Sequence, residues 1–165
     1  APIGTGLLYV RRPLIKSLWP LMAAPETKAD DIRKFEEIGT HPAANFLGIA
    51  EALTFHEAIG GARKQARFRY LRDYWVQRLR SIPGFRLHTP LSAQLSCGLG
   101  VFEIEGMDHP ALISWLWDKH RILTTGINHE DFKGIRVTPS VYTTLSELDR
   151  FTDLVAHAAK HGLEA

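Results

Sequence analysis

The chain has 165 residues, enough for a sizeable hydrophobic core, and its 45% hydrophobic and 23% charged content is that of an ordinary globular protein. A net charge of +2 gives no strong attraction to nucleic acid or to an anionic membrane, and no apolar run is long enough to span a bilayer. The single cysteine, Cys97, excludes an internal disulfide and favours a reducing, cytoplasmic location.

The first 31 residues combine one apolar run with a long loop. Residues 7–10 (LLYV) are apolar on both faces, which predicts a buried strand. A helical turn is predicted over residues 14–18, and residues 19–31 are predicted to be loop. A buried strand so close to the first residue needs neighbouring strands, so the chain is expected to come from something longer.

A polar turn precedes the longest helical pattern. Gly39 can adopt a positive φ at no steric cost, and Pro42 suits the first turn of a helix, where its missing N–H is not needed. Thr40 and His41 lie between them, beside backbone N–H groups that a helix leaves free. This arrangement suits an anion such as a phosphate; the alternative is a turn that only starts the helix.

Two helices are predicted over residues 43–82. The first, residues 43–60, is apolar in nearly every direction and is expected to be covered nearly all round. Gly60 and Gly61 allow a break or a bend between the two helices. The second, residues 62–82, has an apolar stripe formed by Phe68, Leu71, Trp75, Leu79 and Ile82. Its many arginines indicate either a nucleic-acid-binding helix or a solvated outer face of a packed helix.

The C-terminal half is predicted to be a small α+β unit, a sheet with helices on one side. Strands are predicted over residues 85–88, 97–104, 121–124 and 135–138. Asp108 as N-cap and Pro110 in the first turn predict one helix. A capping box from Thr144 to Glu147 predicts another, which ends at Gly162.

Few side chains are placed for chemistry. The histidine spacing shows no metal-ligand cluster, and Cys97, at the start of a predicted apolar strand, is expected to be an inert core thiol. The polar loop of residues 126–134 carries Asn128 and His129, which are either functional groups or simply solvated ones. Arg136 is the exception, because a guanidinium inside an apolar strand requires an anionic partner. That partner is either an internal carboxylate or a substrate carboxylate held by two parallel hydrogen bonds.

Three segments resemble those of class V aminotransferases, a group that includes cysteine desulfurases, selenocysteine lyases and isopenicillin N epimerase-like proteins. Residues 136–144 (RVTPSVYTT), followed by 147–149 (ELD), resemble the C-terminal signature of the family. Residues 36–40 (EEIGT) resemble its Gly-Thr segment, and residues 1–10 (APIGTGLLYV) resemble the strand after its cofactor lysine. The segments occur in the family's order, and residues 19–22 (WPLM) favour the epimerase-like branch.

The resemblance implies the α/β fold of fold-type I pyridoxal-phosphate (PLP) transferases, with a C-terminal portion present. Residues 1–60 would be the end of the large cofactor domain, and residues 61–165 the small α+β domain. The implied site residues are Gly39 and Thr40 for the phosphate of pyridoxal 5'-phosphate, reached across a homodimer, and Arg136, Asn128 and His129 for an amino-acid substrate. The Schiff-base lysine is expected upstream of Ala1, so no catalytic residue is assigned here, and a complementing upstream segment is the alternative to a homodimer.

The sequence also departs from the family. Desulfurases place a cysteine on the loop before the carboxylate-binding arginine, and residues 127–130 (INHE) contain none. Cysteine desulfuration is therefore disfavoured, while transamination, epimerisation and elimination stay open. The alternative from another class is a non-catalytic binding or assembly module with the same fold.

Overall fold

The structure, a computed structural model, describes residues 1–163, and the chain divides into two compact units, Ala1–Ile59 and Gly60–Ala165. Of the break or bend allowed at Gly60 and Gly61, the structure has the break, because one helix ends at Ile59 and the next begins at Gly61. Within residues 1–163, none of the helices combines the length and the hydropathy that crossing a bilayer requires.

The first unit begins with an open segment. Residues 7–10 form no strand, and the side chains of Leu7 and Tyr9 are 77% and 86% exposed. A strand is stabilised by hydrogen bonds to a neighbouring strand, and residues 1–59 contain no strand that could pair with this run. The prediction of a buried strand is therefore wrong for this structure.

A small core holds the next turns together. Helix α1 (Arg12–Ile15) begins two residues before the predicted helical turn of residues 14–18. The predicted loop of residues 19–31 contains a 3-10 turn at Glu26–Lys28, and a second 3-10 turn follows the loop at Ile32–Glu36. Lys34 is buried, and its ammonium donates hydrogen bonds to the carbonyls of Ile15 and Ala29. These bonds offset part of the free-energy cost of removing the charge from water.

Helix α2 (Ala43–Ile59) forms where it was predicted, but the prediction that it is covered nearly all round is wrong. None of its residues is buried, and Leu47 and Phe55 are 74% and 51% exposed. Gly48 packs so closely on Pro2 that an added Cβ would lie 2.9 Å from the proline Cγ. A helix that is apolar in every direction needs neighbours on every side, and the described residues of the first unit cover only part of it.

The second unit contains a four-stranded antiparallel sheet with the strand order β1-β2-β4-β3. The strands are β1 (Phe85–Leu87), β2 (Gly100–Ile104), β3 (Thr125–Asn128) and β4 (Lys133–Val137). The strands predicted over residues 85–88 and 135–138 are thus confirmed. The strand predicted over residues 97–104 begins only at Gly100.

Three helices cover one face of this sheet, as predicted for an α+β unit. They are α3 (Gly61–Leu79), α4 (His109–His120) and α5 (Leu145–His161). The core combines their inward side chains with alternate residues of β2 and β4, including Trp75, Leu116, Val155, Phe102 and Ile135. Burying an apolar side chain of this size stabilises a fold by about 1.5–3 kcal/mol.

The predicted starts of α4 and α5 and the predicted end of α5 are confirmed, whereas α3 ends at Leu79, three residues before the predicted end. The Asp108 carboxylate accepts a hydrogen bond from the Ala111 N–H at 3.1 Å and caps α4. Thr144 and Glu147 form the reciprocal capping box at the start of α5, and Gly162 follows its last residue.

The strand predicted over residues 121–124 is wrong, because these residues still complete the end of α4. Arg121 has a φ of 57°, and the Ile122 N–H donates to the Leu116 carbonyl at 2.9 Å. Backbone groups engaged with the helix end cannot join a strand ladder. The ladder with β4 therefore starts at Thr125, which is paired with Arg136.

Candidate functional site

Arg136 lies on the face of the sheet opposite to the helices. Its neighbours in β4, Ile135 and Val137, are both part of the core between sheet and helices. Because side chains alternate along a strand, Arg136 projects to the other face. Its cross-strand partners there are Val101 on β2 and Thr125 on β3.

The guanidinium of Arg136 has few acceptors. Its Nη2 donates to the Thr125 hydroxyl at 3.4 Å, whereas its Nε is buried and has no hydrogen-bond partner. Among residues 1–163, no carboxylate oxygen lies within 4.0 Å of it. The described residues thus do not form the internal ion pair that was one of the two alternatives. A buried N–H without a partner costs about 1–3 kcal/mol, so an anionic ligand would be stabilised here.

Glu103, a carboxylate on the same face as Arg136, is engaged with other residues. It lies 3.4 Å from Arg86 and 3.2 Å from the Nε2 of His88. Gly134, two residues before Arg136, marks a close approach of β4 to β2, because an added Cβ would lie 2.4 Å from the Phe102 carbonyl oxygen. Only glycine fits at this position of the sheet.

Asn128 and His129 lie at the other end of β3 from Thr125. Asn128 is the last residue of the strand, and alternation places it on the face opposite to Thr125 and Arg136. His129 is exposed in the loop that follows, with its Nδ1 3.4 Å from a carboxylate oxygen of Asp131. The residue that the structure brings to Arg136 is therefore Thr125, which the sequence analysis did not select.

One exposed group in this loop has the composition of a metal site. The potential ligand atoms of His129, Glu130 and Asp131 lie within 4.8 Å of one another. The histidine spacing had indicated no such cluster. All three side chains are exposed, and exposed acidic groups are common without an ion. We therefore assign no metal to this group.

The turn before α2 keeps its backbone accessible. Gly39 has the predicted positive φ, 76°, and no atom lies within 4 Å of an added Cβ. Thr40 is exposed, and the His41 ring is fixed by its Nδ1, 3.0 Å from the Gly39 carbonyl, and by an edge contact with Phe46. Pro42 immediately precedes the first helical residue. An open turn at a helix start fits a phosphate, as it also fits a turn that only begins the helix.

Several arginines of α3 make contacts within the second unit. Arg67 and Arg69 each donate to a backbone carbonyl, at 2.9 and 2.6 Å. Arg78 pairs with Asp153 at 2.9 Å and with Asp149 at 3.4 Å. These contacts agree with the interpretation of α3 as a packed helix whose arginines support neighbouring segments.

Arg72 departs from that pattern, because it is only 1% exposed. It donates to the Asp73 carboxylate at 2.8 Å, to the Ser96 hydroxyl at 2.6 Å and to the Cys97 carbonyl at 2.7 Å. Its position three residues before Trp75, on the apolar stripe, is the feature of the sequence that could have predicted this burial.

Cys97 itself is half-buried in the loop before β2, so its predicted place at the start of that strand is wrong.

Comparison with known proteins identifies the family of this chain. The sequence profile of the family Aminotransferase class-V matches residues 1–151. The chain belongs to the class-V aminotransferase family. Among curated relatives, isopenicillin N epimerase from Streptomyces clavuligerus is 28% identical over 170 residues, which cover 93% of this chain and 43% of that protein. The chain thus spans less than half the length of this relative.

Solved structures share the fold of this class-V chain. The apo cysteine desulfurase of Thermococcus onnurineus NA1 superposes with a TM-score of 0.66 at 20% identity, covering 77% of this chain and 34% of that one. A C-DES variant with glycine covalently linked to its PLP cofactor superposes with a TM-score of 0.63 at 22% identity. The match covers 74% of this chain and 31% of that one. At these identities the likeness is one of fold. The predicted α/β fold of type I PLP-dependent transferases is confirmed.

Proposed function

We propose that this chain is part of a PLP-dependent enzyme that acts on amino acids, and that Arg136 binds the substrate α-carboxylate. The observation that carries the proposal is the state of this guanidinium, which is half-buried, has an Nε without a partner and has no carboxylate of residues 1–163 in reach. A carboxylate can accept two parallel hydrogen bonds from such a fork. Family membership supports the same assignment.

The first unit is proposed to contribute to the cofactor phosphate. Gly39 and Thr40 fit this role, because the turn has a positive φ, no side chain over the glycine and a helix starting directly after it. In this proposal the protein is a cytoplasmic homodimer, and the two residues bind the cofactor phosphate in the site of the other subunit. Residues 1–60 then belong to the large cofactor domain and residues 61–165 to the small domain. When bound, PLP supplies an electron sink for cleavage of a bond to the substrate Cα.

The residues of this chain would orient the substrate. A bidentate contact with Arg136 holds the carboxylate in one plane, which aligns one of the bonds to Cα for cleavage. Transamination, epimerisation and elimination all need such orientation. Desulfuration is disfavoured, because residues 127–130 offer no thiol and Cys97 lies in the loop before β2. His129 stays a candidate for contact with the substrate, and strand alternation makes Asn128 a weaker one.

The test is a comparison of two arginines on the same sheet face. In the complete, cofactor-loaded protein, Arg136→Lys keeps the charge and loses the fork, so affinity for L-alanine should fall by about 1.5–3 kcal/mol, or about 10- to 150-fold. Affinity for ethylamine, which lacks the carboxylate, should not change. Arg86→Lys is the matched control, since Arg86 pairs with Glu103. Unchanged L-alanine affinity in Arg136→Lys, measured calorimetrically, would show the proposal to be wrong.

A further inference from the structure

Thr125 is placed directly opposite Arg136 in the sheet. The two residues are register partners on β3 and β4, and the Thr125 hydroxyl accepts the Nη2–H of Arg136 at 3.4 Å. We propose that Thr125 is a positioning residue, which holds the guanidinium of Arg136 in the orientation that receives a substrate carboxylate. This inference rests on the proposed function of Arg136.

The Thr125 hydroxyl is the hydrogen-bond acceptor that the described residues around Arg136 provide. On the β2 side its register partner is Val101, which offers no side-chain acceptor. Within residues 1–163, the hydroxyl of Thr125 is the one acceptor found for the guanidinium, and the Nε stays without a partner. An arginine side chain loses up to about 2 kcal/mol of conformational entropy when it is ordered. A contact that orders it before the ligand arrives lowers the cost of binding.

The chemistry of threonine suits this role. Two heavy atoms on Cβ restrict its χ1 angle, so its hydroxyl has few accessible directions. Thr125 is exposed, and one hydroxyl lone pair or its proton stays available to a ligand bound at Arg136. The same side chain can therefore orient the guanidinium and stay in contact with the open face.

The preceding residue provides a matched control. Thr124 has the same side chain, but it lies before β3, and its hydroxyl is buried without a hydrogen-bond partner. It therefore has no hydrogen bond to Arg136 that could be lost. Replacing Thr124 with valine therefore changes the same atoms one position away from the proposed contact.

The experiment measures the preference of the complete, cofactor-loaded protein for a carboxylate, as the ratio of its calorimetric dissociation constants for ethylamine and L-alanine. Thr125→Val removes the hydroxyl and should reduce this ratio about three- to tenfold, the effect of losing one ordinary intramolecular hydrogen bond. Thr125→Ser keeps the hydroxyl and should restore most of the ratio. Thr124→Val should leave it at the parent value.

Three outcomes would overturn the inference. If Thr125→Val keeps the parent ratio while Arg136→Lys loses it, Arg136 binds the carboxylate without help from Thr125, and the proposed function stands alone. If Thr125→Val weakens both ligands equally and lowers the melting temperature, its role is structural. If Arg136→Lys itself keeps the parent ratio, the proposed function and this inference are both wrong.

Discussion

Replacement of Arg72 should release the loop between β1 and β2. This arginine is 1% exposed and joins α3 to the loop through the Ser96 hydroxyl at 2.6 Å, the Cys97 carbonyl at 2.7 Å and the Leu91 carbonyl at 3.2 Å. Arg72→Met keeps most of the apolar stem and removes every donor. The variant therefore tests the hydrogen bonds more than the packing.

The magnitude follows from the acceptors that lose their partner. Each buried acceptor left without a hydrogen bond costs about 1–3 kcal/mol, but a loop can move and expose some of them to water. The Asp73 side chain is 41% exposed and can be rehydrated, so it adds little. We expect Arg72→Met to lower the free energy of unfolding by about 2–4 kcal/mol, which overlaps the lower part of the range of about 3–5 kcal/mol for breaking a buried ion pair.

Urea denaturation of the complete protein, with Arg69→Met as control, measures this effect. Arg69 joins the same helix to the same loop through one bond to the Ala93 carbonyl at 2.6 Å, so its loss should cost about 0.5–1.5 kcal/mol. The reaction rate of the Cys97 thiol with an aromatic disulfide gives a local readout, and it should rise in Arg72→Met. Equal stability and equal thiol reactivity in both variants would refute the reasoning.

Two further predictions concern surface and pH. The isolated 165-residue chain should bind a hydrophobic dye and sediment above the mass of a monomer, because the side chains of Leu7, Tyr9, Leu47 and Phe55 are largely exposed. Leu47→Glu should reduce both the dye signal and the sedimenting mass. A chain that sediments as a monomer and binds no dye would contradict this prediction. Hydrogen bonds from the backbone N–H and the hydroxyl of Thr144 lower the pKa of Glu147 below its ordinary 4.5. The capping box should therefore stabilise α5 above pH 4.5 and lose this effect as the pH falls below it. The difference in melting temperature between parent and Glu147→Gln should shrink on acidification, and a difference that is constant with pH would exclude the carboxylate as its source.

Local sequence was sufficient wherever local hydrogen bonds or backbone freedom decide the structure. Asp108, Thr144 and Glu147 satisfy N–H groups within three residues of themselves, so the starts of α4 and α5 could be read directly. The break at Gly60 and Gly61 is of the same kind. The family could also be predicted, since its signature segments are continuous in the sequence.

Contacts between distant residues decided the rest. Residues 7–10 have the composition of a buried strand but no described partner, and α2 has apolar residues on sides that residues 1–59 do not cover. The charge of Arg72, like that of the other arginines of α3, predicts a solvated side chain, whereas the loop of residues 89–99 supplies its acceptors from across the fold.

In the candidate site, too, some features follow from local sequence and others from contacts between distant residues. The sequence singles out Arg136 as a charge in an apolar strand, which local composition reveals. It does not reveal that Thr125 faces Arg136 or that Asn128 points to the opposite face, because both depend on the register of β3 against β4. A shift of one residue would exchange the faces. That register is set by where α4 ends, at Arg121 and Ile122, and by the core that buries Ile135 and Val137.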